Sequence, residues 1–191
     1  MIKIGILGDI GSGKSYVAKQ FGCPVFDADA EVTKIYKKNK NCFNKLKNKL
    51  PKYIYSFPIK KKEIGKAIIE NKNNLKKIIK IVHPIVRKNM YKFLKNNNFK
   101  KAIVLDIPLY FENKLNKKTD VIIFISAKKK LINAALKKRG KSDLKLLKKI
   151  GKFQLPLQVK KKKADYVIIN NFKSENLKNK VKILKYKILN K

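Results

Sequence analysis

Cysteine is almost missing from this chain: Cys23 and Cys42 are the only two in 191 residues. Two thiols make no disulfide framework, so a packed core must hold the fold, and the cytoplasm is the expected compartment. Also missing is any run of about 18 apolar residues, which excludes a membrane-crossing helix. The apolar start, Met1 to Leu7, is short and passes into glycines and a lysine without a small-residue cleavage site. A buried first strand is therefore expected rather than a signal peptide. Acidic residues are scarce, 12 against 50 lysines and arginines, which gives a net charge of +38. Arginine is scarcer still, with Arg87 and Arg139 alone. A nucleic-acid interface enriches arginine, whose fork grips phosphate and guanine at two points. Here the basic residues are nearly all lysine and run from end to end. The charge is read as compositional bias that helps attract a polyanionic substrate, with no specific nucleic acid and no membrane as partner.

No repeat and no Pro/Gly/Ser linker divides the chain, and 44% hydrophobic residues suffice for a core, so one domain over 1–191 is expected. Residues 2–7 form a near-continuous apolar run, the pattern of a strand buried on both faces. A helix starts at 14, a short strand covers 24–26, and residues 30–48 are expected as one helix. Residues 62–97 carry apolar side chains at helical spacing, with Pro84 expected to break or start an element. Strands follow at 102–106, 121–125 and 166–169. Helices are expected over 128–138 and 143–163, with one more at the C-terminus. Apolar strands alternating with helices predict an α/β fold, a parallel sheet covered on both faces.

Gly8-Asp9-Ile10-Gly11-Ser12-Gly13-Lys14-Ser15 matches G-x-x-x-x-G-K-[ST] in full, between a predicted strand and a predicted helix. Such a loop wraps its amides around phosphate oxygens. Lys14 adds a point charge near the β- and γ-phosphates and is expected to face solvent, and the Ser15 hydroxyl can ligate Mg²⁺. Residues 8 to 16, ending in Tyr16, are the candidate ATP site. Asp106 ends an apolar strand, as an aspartate that holds the magnesium through water would. Asp27 and Asp29 lie just past strand two, where parallel sheets bind ligands, and one of them can accept the proton of an attacking hydroxyl. His83 and Arg87 can together bind an anionic or ribose part of an acceptor. Arg139 follows the helix after strand four, where kinases of this class carry a lid arginine that neutralises the transferring phosphoryl group. The runs Lys60–Lys62 and Lys160–Lys163 read mainly as solvated surface.

Taken in order, these blocks resemble the dephospho-CoA kinase family from strand one to about Asn170. They are the loop at 8–15, Pro24-Val25-Phe26-Asp27-Ala28-Asp29, His83-Pro84-Ile85-Val86-Arg87, Leu105-Asp106-Ile107-Pro108-Leu109-Tyr110-Phe111-Glu112, and Gln154-Leu155-Pro156 with Lys160 and Ala164 to Ile168. The resemblance implies a P-loop fold of three α/β/α layers with a five-stranded parallel sheet. A helical acceptor-binding insertion at about 30–98 and a short lid at about 139–152 would complete it. The implied reaction is the last step of coenzyme A synthesis, ATP and dephospho-CoA giving ADP and CoA with Mg²⁺, in a monomer or weak homo-oligomer. Asp29 takes the role of base for the acceptor hydroxyl, with Lys14 and Arg139 on the phosphates. Asp27, His83, Arg87, Pro108 and Glu112 fall on the substrate side, and Ser15 and Asp106 on the metal. The chain departs from the family pattern at Asp9, where glycine is usual, at Tyr16, where threonine is usual, at Ala135, where an arginine is expected, at Ile169, where an acid usually precedes the Asn170 position, and in a shortened Arg139-Gly140 lid segment.

Another small-molecule kinase of this fold, acting on a nucleotide or on shikimate, fits the loop and the acids equally, but gives no reason for His83-Pro84 or the 106–112 block. A regulatory GTPase needs Asn-Lys-x-Asp, and Asn116-Lys117-Lys118-Thr119-Asp120 has one residue too many. A nucleic-acid motor needs an acidic pair where Asp106 is followed by Ile107. A non-enzymatic polycation leaves the loop unexplained.

Overall fold

Isoleucine- and valine-rich runs form the five strands of one sheet: β1 (Ile2–Gly8), β2 (Val25–Asp27), β3 (Ala102–Asp106), β4 (Val121–Ser126) and β5 (Tyr166–Ile169). They lie in the order β2-β3-β1-β4-β5 with every pairing parallel, in a computed structural model that describes residues 1–138, 144–151 and 153–190. Every residue of β3 is buried, as is β1 from Ile4 onward, which is why these strands read as continuous apolar runs. The expected five-stranded parallel α/β fold is present.

The chain divides into two units. The first, Met1–Asp27, Asn97–Ser142 and Gly151–Lys191, holds the sheet. Ile4, Ile6, Val104 and Ile125 point to the face covered by α1 (Lys14–Gln20) and α9 (Ser174–Leu189), where Val17, Phe21 and Val181 complete the core. On β1's other flank Gly5 leaves room for the Tyr110 ring, which would lie 2.8 Å from a Cβ at position 5.

The second unit is Ala28–Asn96 with the described part of Asp143–Ile150. Two helices, α2 (Ala28–Lys38) and α3 (Lys40–Lys49), replace the single one expected over 30–48. Asn39 between them takes an extended backbone and accepts from the Cys42 amide at 2.8 Å, an N-cap that starts the second helix. The 62–97 stretch also divides, but at Asn71, between α4 (Lys61–Glu70) and α5 (Lys72–Asn96). Pro84 neither breaks nor starts an element; it lies inside α5. Leu75, Ile78, Val82 and Met90 keep one buried face on both sides of the exposed proline, and that burial outweighs the lost backbone hydrogen bond. After α6 (Lys129–Lys138), the described residues between 143 and 163 form two helices as well. α7 (Leu144–Gly151) ends before Pro156, which N-caps α8 (Leu157–Lys162).

Candidate active site

The loop after β1 is shaped by its own hydrogen bonds. Ser12 N donates to Asp9 O at 3.1 Å, closing a turn. The Lys14 ammonium reaches back to the carbonyls of Gly8, at 3.2 Å, and Asp9, at 2.8 Å. Lys14 is therefore half-buried and ties the start of the loop to its end, where the sequence suggested a side chain facing solvent. Gly8 is required by close approach, since a Cβ there would lie 2.5 Å from Ile125 O. The Asp9 carboxylate accepts from the Ile10 amide at 2.7 Å, which gives the acid at this unusual position a backbone partner. Ser12 is wholly buried, Gly11 and Ile10 are half-buried, and Tyr16 is 39% exposed.

Ser15 and Asp106 meet. The hydroxyl donates to Asp106 Oδ2 at 2.5 Å, joining the loop to the carboxyl end of β3 across 91 residues of sequence. Asp106 is 3% exposed, and its register partner on β2 is Asp27. The two residues read as magnesium ligands thus meet, and a second aspartate stands beside Asp106 in the register of the next strand. Among the described residues no cluster of three His, Cys, Asp or Glu side chains has the arrangement of a protein-only metal site. One hydroxyl and one or two carboxylates beside a phosphate loop suit Mg²⁺, which takes hard oxygen donors and draws the rest of its shell from phosphates and water.

The 107–112 segment is held down by a lysine. Lys160, 1% exposed, pairs with Glu112 Oε1 at 2.7 Å and donates to Pro108 O at 3.1 Å and Gln154 Oε1 at 3.3 Å. Leu155 N also donates to Glu112 Oε1, at 2.7 Å. Glu112 Oε2 is buried without a hydrogen-bond partner among the described residues. Tyr110 donates to Asp120 at 2.7 Å. Burial first, and then that bond, push the phenol well above its ordinary range, so Tyr110 is a fixed donor and no base. Lys60, Lys61, Lys62, Lys161, Lys162 and Lys163 are exposed, but Lys160 is not surface. Lys160→Ala should strand the Glu112 carboxylate and destabilise the protein by about 3–5 kcal/mol, whereas Lys161→Ala next to it should cost within about 0.5 kcal/mol. Urea melts of the two variants check this, and equal midpoints would remove the pair from the fold's stability.

Asp29 belongs to the second unit, exposed in the first turn of α2, with Thr33 Oγ1 donating to its carbonyl at 2.9 Å. Glu31 two residues on accepts from Asn89 Nδ2 of α5 at 2.8 Å and so anchors that turn. His83 and Arg87 are four residues apart on α5, on one helix face, half-buried and exposed respectively. Arg139 and its neighbours to 143, the centre of the expected lid, lie outside the described residues. Sequence reasoning gave two polar side chains no role in the site. Lys160 was hidden among surface lysines, although the spacing Gln154-Leu155-Pro156…Lys160 marked it. Asn170, 2% exposed, donates through Nδ2 to Ser12 O of the loop at 2.8 Å.

Comparison with known proteins gives the family. The family model for dephospho-CoA kinase matches residues 2–176. A dephospho-CoA kinase of Wolbachia sp. subsp. Brugia malayi is 32% identical over 94% of this chain and 94% of its own length. That of Fusobacterium nucleatum is 35% identical over 93% and 94%. Among solved structures, TT1252 from Thermus thermophilus superposes with a TM-score of 0.77 at 28% identity, covering 97% of each chain.

Proposed function

The chain belongs to the dephospho-CoA kinase family, an ATP-dependent enzyme of coenzyme A biosynthesis that phosphorylates dephospho-CoA, and we propose which of its residues carry the transfer to the ribose 3′-hydroxyl. The observation that supports the assignment best is the Ser15–Asp106 contact at 2.5 Å, which brings the phosphate loop and the strand-end carboxylate to one point. The loop from Gly8 to Tyr16, through those of its amides that its own turn does not use, and the Lys14 ammonium receive the ATP phosphates. Ser15 and Asp106 would hold Mg²⁺, which when bound offsets the charge of the phosphate oxygens. Asp29 orients the acceptor hydroxyl and accepts its proton, supported by Asp27. Arg139 supplies charge to the transferring group. His83 and Arg87 take the acceptor side, within a second unit that serves as the acceptor-binding part. Pro108 and Glu112 shape the substrate side through the loop that Lys160 holds. The two free thiols, Cys23 and Cys42, support a reducing, cytoplasmic setting, and no helix among the described residues is long and apolar enough to cross a membrane. A monomer or weak homo-oligomer suffices for this chemistry.

Purified protein incubated with ATP, Mg²⁺ and dephospho-CoA should release ADP and CoA in equal amounts, and should leave adenosine monophosphate and shikimate unphosphorylated. Chelation of the metal should stop turnover, and Asp106→Asn should raise the Mg²⁺ concentration needed for half-maximal rate. Phosphorylation of shikimate or adenosine monophosphate in preference to dephospho-CoA would overturn the acceptor assignment.

A further inference from the structure

We propose that Asn170 is a positioning residue for phosphoryl transfer: it sets the backbone of the phosphate loop by holding the Ser12 carbonyl. Asn170 follows β5 directly, and its own amide extends the β4–β5 ladder by donating to Ser126 O at 2.7 Å. The backbone is therefore fixed before the side chain is considered. The side chain is fixed as well. Nδ2 donates to Ser12 O at 2.8 Å and Oδ1 accepts from Phe172 N at 2.8 Å. One partner can only accept and the other can only donate, so the amide has a single satisfied orientation. At 2% exposure no water competes for either end.

The consequence for the loop follows from peptide planarity. In a trans peptide the N–H points opposite to the preceding C=O. Holding the Ser12 carbonyl on the Asn170 side turns the Gly13 N–H away from Asn170, which leaves it to a phosphate oxygen. Gly13 has φ +90°, a conformation that L side chains rarely adopt, and a Cβ there would lie 2.4 Å from Asn170 Nδ2. The missing side chain at 13 and the amide at 170 are therefore one device. The glycine lets the asparagine approach, and the asparagine holds the glycine in the conformation that presents its amide. Phe172, on the other end of the same side chain, itself has φ +61°, so the turn after β5 is locked by the group that locks the loop. Asn170 touches no reacting atom in this account and acts only through the peptide between residues 12 and 13.

This inference rests on the phosphate-loop reading above. Asn170→Ala should raise the Kd for ADP and the KM for ATP by about 10- to 100-fold and lower kcat, the scale expected when a positioning contact is lost. The KM for dephospho-CoA should stay within about twofold. A variant that was merely less stable would lose active protein and leave the KM for ATP unchanged. Asn170→Asp keeps the acceptor for Phe172 N, removes the donor and faces Ser12 O with a carboxylate, so it should weaken ADP more than Asn171→Asp, which puts the same charge one residue away without touching the loop. Should both position-170 variants fail to fold, the native protein still decides: the Gly13 amide resonance should move strongly on adding ADP. Unchanged ADP affinity in folded Asn170→Ala, equal effects of the two aspartate variants, or a Gly13 amide indifferent to ADP would each overturn the proposal. A native protein that fails to bind ADP would overturn the phosphate-loop reading itself and this inference with it.

Discussion

Lys14→Ala should lower kcat by about 10²- to 10³-fold, near the cost of one preorganised donor aimed at developing charge. Two effects of the substitution must be separated. The ammonium ties the loop through the Gly8 and Asp9 carbonyls, at 3.2 and 2.8 Å, and these partly exposed bonds contribute about 1 kcal/mol each at most. Loss of the tie alone therefore shifts the melting temperature slightly and loosens ATP and ADP alike. The charge acts differently. As the γ-phosphoryl group leaves, negative charge spreads over its equatorial oxygens and the bridging oxygen, so a cation there is worth more in the transition state than in the ground state. The larger part of the loss belongs in kcat and the smaller in the KM for ATP. Lys14→Arg keeps the charge but brings a wider planar group that cannot sit between two carbonyls as an ammonium does, so it should recover little. Steady-state ADP release with a parallel thermal melt tests this. Activity within about twofold of the parent would remove the loop from phosphate binding.

The sheet and the loop were legible in the sequence because both are local patterns. β1 and β3 are buried on both faces and so are written almost wholly in apolar residues, and the eight-residue loop carries its glycines where the backbone crowds Ile125 O or takes positive φ. Legibility failed where a distant partner decides. Pro84 argued locally for a helix end, yet the buried stripe through Val82 and Met90 carries α5 past it. Asn39 carried a capping side chain, but an asparagine between helical residues gives no sign of whether it will cap. Lys160 looked like its three exposed neighbours, and only folding brings Glu112, Pro108 and Gln154 to it. Asn170 presented a short polar side chain after a strand, and its bond to Ser12 spans 158 residues. The site divides the same way. The motif shows that phosphate is held, while the contacts that fix the motif come from the 106, 126 and 170 regions and leave no spacing to read.

Asp29→Asn should lower kcat by about 10² to 10⁴, the range for loss of a general base. A ribose hydroxyl is a poor nucleophile near neutral pH, and its proton must depart as the new P–O bond forms. A carboxylate in reach orients the hydroxyl and takes the proton, whereas an amide can only orient it. The transition state of phosphoryl transfer is loose, so part of the benefit is positional, and the amide keeps that part. The KM for dephospho-CoA should accordingly change little while kcat collapses. Asp29 lies in the first turn of α2, which Asn89 secures through Glu31. Asp27→Asn should be milder if Asp27 mainly supports its neighbour or a metal-bound water. Full activity in Asp29→Asn would end its role as base. If Asp27→Asn were the more damaging, the two aspartates would exchange roles, and the kinase assignment, which rests on the loop and on the family, would be untouched.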